Sequence, residues 1–322
     1  MSQQSTQLNT TRRRGAVLAD AALLLVTMAW GATFVVVKEA LAEIRPFAFL
    51  AVRFGIAALL LAPWYWRGIV RGGLRQARAG LFIGGFLFLG YGAQTLGLQW
   101  TSAGKAGFIT GLMVVFVPVF SAWLLRQPPR RDSVLGVLLA TLGLALLTLT
   151  DSLQPNRGDA LVLLCAVCFA MHIISVGKHA RHPDNSAGAL ATIQIGVTSL
   201  LALAASLATE RGYWAAIGGP GGIPPAAWRA ILITAVFATA AAFLIQNLAQ
   251  RRTTPTHTAV VFSMEPVFAA LFAWLLAGEV LGPRGVAGGA LIVVGMLAAE
   301  LEPLAGLAAR WSRRPRRRRI SH

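Results

Sequence analysis

Charge is what this sequence lacks most. Aspartate and glutamate together number 12 in 322 residues, and charged side chains of both signs make up 13%, about half the quarter share of a globular chain. That shortage excludes an ordinary soluble protein, because the missing charge must reflect long segments that never meet water. The two cysteines, Cys165 and Cys168, both lie inside an apolar stretch. They exclude a disulfide scaffold, and their CxxC spacing without a soluble redox fold around it marks no redox or metal site. His179-Ala-Arg-His182 offers too few ligands for zinc, which normally takes three or four. No phosphate loop, dinucleotide glycine fingerprint or zincin helix occurs. ATP-driven transport is therefore unsupported, and no cofactor or metal is expected.

What the chain does hold is apolar length: 56% of its residues are hydrophobic, with a mean hydropathy of +0.64. A bilayer core of about 30 Å needs about 20 apolar residues of helix. Ten windows of that kind occur, near 18–38, 47–66, 80–98, 104–125, 134–150, 159–177, 187–207, 228–248, 256–277 and 285–301. Helix breakers fall between them: Pro46, Pro128-Pro129, Pro155, Pro183, the Gly218–Pro225 run and Pro283. The expected fold class is thus an all-α polytopic membrane protein with ten transmembrane helices. The polar start of 17 residues leads into a full-length apolar segment with no short h-region or small-residue cleavage site, so a retained first span is expected rather than a signal peptide.

The chain carries 29 Lys and Arg and a formal charge of +17, which in a soluble protein would suggest nucleic acid. Their distribution argues otherwise. Counted over alternate loops, 21 fall on one side, including Arg12–Arg14, Arg75, Arg78, Lys178 and seven arginines from Arg310 onward. Seven fall on the other side, and Arg53 alone lies inside a span. By the positive-inside rule both termini are cytoplasmic, in what fits a bacterial inner membrane. The C-terminal arginines follow Trp311 and are expected to meet anionic lipid, with no nucleic-acid partner.

An internal repeat is also legible. At an offset of 152, Thr101 pairs with Thr253, Gly136 with Gly288 and Gly143 with Gly295. Lys38 pairs with Lys178, and Arg53-Phe54-Gly55 with Gln194-Ile195-Gly196, at offsets of 140 and 141. The proline pairs Pro118-Val119-Phe120 and Pro266-Val267-Phe268 are 148 apart, one helical turn short of 152. Five spans per half is an odd number, so the second half must enter the membrane from the opposite side. Such inverted repeats are typical of secondary transporters, with the substrate site near the midplane between the halves. The expected organisation is a tail (1–17), one five-helix repeat (18–150), a second (159–302) and a basic tail (303–322).

These residues carry a family resemblance. The run Thr253-Thr254-Pro255 through Ser263-Met264-Glu265-Pro266-Val267-Phe268-Ala269, then Trp274-Leu275-Leu276-Ala277-Gly278-Glu279, resembles the EamA repeat of the drug/metabolite transporter superfamily. So do Trp30-Gly31-Ala32-Thr33-Phe34, Arg53-Phe54, Thr101-Ser102-Ala103 and Pro118 in the first half. The resemblance spans residues 18–302. It implies two inverted EamA units and export, or sometimes import, of small metabolites; the leading reading is a secondary transporter moving an amino acid or related compound outward by alternating access. The first half departs from the pattern, with Val117 before its proline where the second has Glu265, and Gln127-Pro128 where the second has Gly278-Glu279.

Candidate pathway residues are the polar groups that sit deep in spans. Glu265, about nine residues into the ninth span, must face a cavity, a partner or a proton. It reads either as a proton acceptor or substrate-amine ligand, or as a packing carboxylate at the Pro266 kink. Arg53 reads either as a fork for a substrate carboxylate or as a cap on helix carbonyls. Thr33, Gln94, Thr110, His172, Ser175, Gln246 and Asn247, with Trp30 and Tyr91, could line one pathway or could simply join helices by hydrogen bonds. A proton is the candidate coupling ion. The competing functions are a membrane enzyme acting on lipid or isoprenoid, which would need an acidic or histidine cluster that the loops lack, and a non-transporting sensor or lipid flippase.

Overall fold

The computed structural model describes residues 2–97, 99–101, 103–126, 131–148, 155–277 and 282–312. Among these it is built of helices and turns, with no strand. Long helices are α1 (Ser2–Glu43), α2 (Pro46–Gly97), α6 (Arg157–Ala180), α7 (Ala187–Thr209) and α13 (Pro283–Ser312). Between them lie α3 (Ala103–Gly111), α4 (Met113–Leu124), α5 (Arg131–Thr148), the short α8 (Tyr213–Ala216), α9 (Pro225–Ala235), α10 (Ala242–Ala249), α11 (Pro255–Phe262) and α12 (Glu265–Ala277). Five stretches are long and apolar enough to cross a bilayer: α2, residues 106–124, α6, α7 and residues 225–249. Shorter apolar helical stretches cover 17–33, 133–147 and 283–298. Large side chains such as Leu59, Leu138 and Leu200 are exposed on the outside of the bundle, an apolar surface suited to hydrocarbon.

Several expected boundaries move. Helix α1 begins at Ser2 rather than near residue 18, so the polar start is helical, and α13 continues past 301 to Ser312. No loop separates the second and third windows. Helix runs through 67–79, interrupted only at Gly73, whose φ of 57° and ψ of −161° only glycine adopts readily. An unbroken helix of that length would measure about 78 Å, more than twice a bilayer core. The packing of α2 on α7 shows what happens instead. On the first limb Gly68 faces Ser186 and Gly55 faces Ser199, so this limb runs antiparallel to α7. On the second limb Gly80 faces Ile193 and Gly84 faces Val197, in the parallel sense. The chain therefore reverses at Gly73. Fully buried Gln76 staples the turn, donating to the Gly68 carbonyl at 3.0 Å while its own carbonyl accepts from the Ser186 amide at 2.8 Å.

Two other windows are broken in the middle. Residue 112 separates α3 from α4, and residues 263–264 separate α11 from α12. Helices α4 and α12 begin 152 residues apart, at Met113 and Glu265, so this offset pairs Glu265 with Met113. The proline-based pairing with Val117 differs from it by one helical turn. The eighth window contains a π-helical stretch, Val236–Ala241, which nothing in its Ala-rich sequence announces.

Helix pairs meet where glycine removes the side chain. A Cβ on Gly143 would stand 2.5 Å from the Gly288 carbonyl oxygen, and one on Gly295 would stand 2.8 Å from that of Gly136. Helices α5 and α13 thus cross backbone to backbone and antiparallel. On the first limb of α2 against α7, Gly55 faces Ser199 and Ala58 faces Gly196. Both crossings exchange residues reciprocally: Gly143 meets the repeat partner of Gly136, and Gly55 meets the repeat partner of Ala58. The Pro128-Pro129 connection, residues 151–154, Gly278-Glu279 and the arginines from Arg313 onward lie outside the described residues.

Candidate functional site

A cavity of about 440 Å³ occupies the middle of the bundle. It reaches the face where α1 hands over to α2 and α2 to α3, marked by Leu41, Pro46 and Thr101. Its wall is mostly aromatic and aliphatic. Trp30 stands edge-on to Phe262 at 4.9 Å, and Tyr91 edge-on to Phe54 at 5.3 Å and Phe169 at 5.2 Å. Of the residues singled out in the sequence, Glu265, Trp30, Thr33, Arg53, Tyr91, Gln94, Thr110, His172 and Gln246 line this cavity. Ser175 and Asn247 do not. Both are buried, and the Asn247 amide donates to the Phe243 carbonyl one turn back at 2.8 Å. That bond serves the helix. Sequence reasoning missed Phe49, Phe169, Phe243 and Phe262, which complete the wall, because an aromatic residue in a membrane helix faces lipid or cavity with the same sequence pattern.

Arg53, 4% exposed, is held by the π-helical stretch. Its Nε donates to Thr239 Oγ1 at 2.7 Å and its Nη2 to the Ala238 carbonyl at 3.2 Å. Trp30 Nε1 donates to the same carbonyl at 2.9 Å. A π-turn displaces a carbonyl from its usual helical partner, and here two donors from the first half of the chain use it. The guanidinium carbon also lies 5.5 Å from the Tyr91 ring centre and 5.4 Å from that of Phe54, within range of cation–π attraction. Arg53 thus donates to a carbonyl of the π-helical stretch from the edge of the cavity.

Glu265 opens α12 directly after the break in the ninth window. A carboxylate in the first turn of a helix meets the positive end of the helix dipole, and its side chain borders the cavity. Gln94 Nε2 donates to Thr110 Oγ1 at 3.2 Å, joining α2 to α3. His172 Nε2 lies 2.7 Å from Gln194 Oε1, joining α6 to α7. Gln246 is fully buried on the wall, and its Oε1 has no hydrogen-bond partner.

The opposite end of the cavity is closed by a polar plug. Gln246 Nε2 donates to Gln250 Oε1 at 3.2 Å, and Gln250 Nε2 to the Ile173 carbonyl at 3.0 Å. The Arg181 guanidinium donates to the carbonyls of Gln250 and Thr253. His257 Nε2 lies 2.9 Å from Asp20 Oδ1, tying α11 to α1. Gly177 leaves room for Pro255, whose ring a Cβ would approach to 2.8 Å. Among the described residues no group of three or more His, Cys, Asp or Glu could hold a metal.

Apolar helices around a central chamber, closed toward the arginine-rich loops, define an integral membrane protein. The chain belongs to the EamA-like transporter family, whose model matches residues 17–149 and again 156–299. It is 36% identical over 285 residues to an uncharacterized transporter of Archaeoglobus fulgidus, covering 88% of this chain and 86% of that one. It is 24% identical over 280 residues to an uncharacterized transporter of Bacillus subtilis, covering 84% and 89%. A solved crystal structure superposes with a TM-score of 0.74 at 18% identity, covering 90% of this chain and 98% of that one, which speaks to the fold alone. Family and relatives point to a transporter of the drug/metabolite type rather than an enzyme, and a transporter implies a small-molecule substrate.

Proposed function

We propose that this protein is a secondary transporter that exports a small amphipathic metabolite, such as an amino acid or related compound, by alternating access. Ten spans would form two inverted five-helix halves, residues 18–150 and 159–302, in a bacterial inner membrane with both termini cytoplasmic. The observation that carries this reading is the central cavity walled by helices from both halves, reaching one face and plugged at the other. Substrate would occupy the cavity, and exchange between the plugged face and the reaching face would move it across. The reciprocal crossings at Gly143/Gly288 with Gly136/Gly295, and at Gly55/Ser199 with Ala58/Gly196, support inversion. A two-fold axis lying in the membrane plane makes each residue meet the repeat partner of its neighbour, as these do.

Within the cavity, Glu265 is assigned to a substrate ammonium group or to a coupling proton, and the free Gln246 Oε1 to a second acceptor for a donor on the substrate. Trp30, Tyr91 and the phenylalanines would cover its apolar part, with Thr33, Gln94, Thr110 and His172 as polar edges. Arg53 is assigned to shaping the wall through the π-turn. Ser175 and Asn247 are assigned to helix packing.

Proteoliposomes containing the purified protein, loaded with an unlabelled amino acid and presented with the same compound in labelled form, test this reading. Saturable counterflow is expected for at least one amphipathic amino acid. Absence of counterflow across the proteinogenic set, from protein that remains monodisperse, overturns the substrate assignment.

A further inference from the structure

A second cavity, of about 510 Å³, opens at the arginine-rich face, between the start of the second limb of α2 and the end of α6. Three permanent cations line it: Arg75, Arg78 and Lys178. His179 and His182 add two imidazoles, and no acidic residue is among its lining. Asp184 sits at its edge, 3.3 Å from Arg75 Nη1 and 3.6 Å from His182 Nδ1, and is itself largely exposed. It answers Arg75. Arg78 and Lys178 have no acidic partner among the described residues, and both are exposed. The His179 ring is already engaged at Nδ1 by the Ser175 carbonyl, 2.9 Å away.

Apolar groups share the same face. Leu74, Arg78 and Phe82 are spaced by four residues and lie one above another on the helix. Leu74 and Phe82 are 67% and 51% exposed, and Phe82 continues into Phe86, edge-on at 4.9 Å. Travelling along the second limb away from Gly73, a molecule would meet cations first and then an aromatic strip leading toward the bilayer interior. Soluble anions and nucleic acid have no use for that strip. A phospholipid has both parts in that order, with a phosphate for Arg78 and Lys178 and an acyl chain for Phe82 and Phe86.

We infer that the groove between the second limb of α2 and the end of α6 is a binding site for one anionic phospholipid, held by Arg78 and Lys178. The site is separate from the central cavity. A lipid there would bridge α2 to α6, whose contact walls the central cavity through Tyr91 and Phe169.

The full chain in detergent, given phosphatidylglycerol or phosphatidylcholine of identical acyl chains, tests this by native mass spectrometry. Wild-type protein is expected to retain one phosphatidylglycerol under activation that strips phosphatidylcholine. The Arg78→Gln/Lys178→Gln variant is expected to lose that retention by at least about fivefold. Arg251→Gln/Arg252→Gln removes the same charge elsewhere on the same face and is expected to retain the lipid, as is the charge-conserving Arg78→Lys/Lys178→Arg. Equal loss in the Arg251/Arg252 control, or full retention in Arg78→Gln/Lys178→Gln, overturns the site. Displacement of the lipid by excess inorganic phosphate also overturns it in favour of a free-phosphate site. If the double variant does not purify as one folded species, exposed Lys178→Gln alone carries the same comparison.

Discussion

The helix crossings and the cavity wall treat the two halves of the sequence differently. At the crossings the halves are interchangeable: glycine or a small residue faces its counterpart's neighbour at α5/α13 and at α2/α7. At the cavity they are not. Glu265 stands where the first half has Met113, and Arg53 stands where the second has Gln194, although Glu265, Met113 and Arg53 all border the chamber. Backbone approach is a matter of shape, and a duplicated sequence meets it twice in the same way. Ligand recognition is a matter of charge, and one cavity needs each charge once. Symmetric positions should therefore govern folding, and asymmetric ones should govern transport or the local shape of the wall.

The sharpest break of that comparison is Gly143→Val. Its Cβ would lie 2.5 Å from the Gly288 carbonyl oxygen and 2.8 Å from the Ile292 amide nitrogen, and backbone on both helices leaves nothing flexible to yield. Overpacking of this kind costs about 3 kcal/mol. Membrane-inserted, monodisperse protein is expected to fall below about a tenth of the wild-type yield, measured by fluorescence-detected size exclusion. Near-normal yield would mean that α5 and α13 do not meet as described.

Arg53→Gln makes the two halves alike at that position and is expected to cost about 2 kcal/mol, the range for hydrogen bonds made by a charged donor. The Ala238 carbonyl would retain Trp30 and lose its second donor. A lower thermal midpoint in detergent, with substrate affinity per folded molecule unchanged, is the expected result. Unchanged stability together with lost affinity would move Arg53 from the scaffold to the substrate.

Glu265→Gln keeps size and hydrogen-bonding capacity and removes the ability to carry charge. Transport is expected to fall at least about tenfold, equivalent to about 1.4 kcal/mol, while abundance stays near wild type. Normal transport across the range from pH 5 to 8 would leave Glu265 with no charge-dependent role. Joint loss of abundance and transport would place it with the crossings.

The membrane character, the two family repeats and most of the polar residues of the cavity lining could be read from the chain because membrane burial exaggerates polarity: a lone Glu265 or Arg53 among apolar neighbours announces itself. The phenylalanines of the wall could not, since hydrocarbon and cavity select the same side chains. Nor could the π-turn at Val236–Ala241, which is held from within by Thr239 Oγ1 donating to the Thr234 carbonyl and from outside by donors on Arg53 and Trp30 in a distant part of the chain. The reversal at Gly73 was legible only as a basic, glycine-containing stretch, and it took the opposite directions of the two limbs along α7 to show that helix continues to either side of a single residue. Aligning the prolines pairs Glu265 with Val117, whereas aligning the helix breaks at 112 and 263–264 pairs it with Met113.

The smallest expected effect is at Gly55, and it tests whether every symmetric glycine is as strict as Gly143. A Cβ there would meet only Ser199 Oγ, at 3.1 Å. That hydroxyl donates to the Ala51 carbonyl at 2.8 Å, but it hangs from a rotatable side chain and can turn away. Gly55→Ala then loses part of one neutral hydrogen bond, about 1 kcal/mol. It gains about the same from the better helix propensity of alanine. A net change within about 0.5 kcal/mol is expected, read as an unshifted thermal midpoint and normal counterflow. A large loss would mean that α2 and α7 tolerate no separation at all, so that the crossing itself, and not only the glycines of α5 and α13, sets the spacing of the two halves.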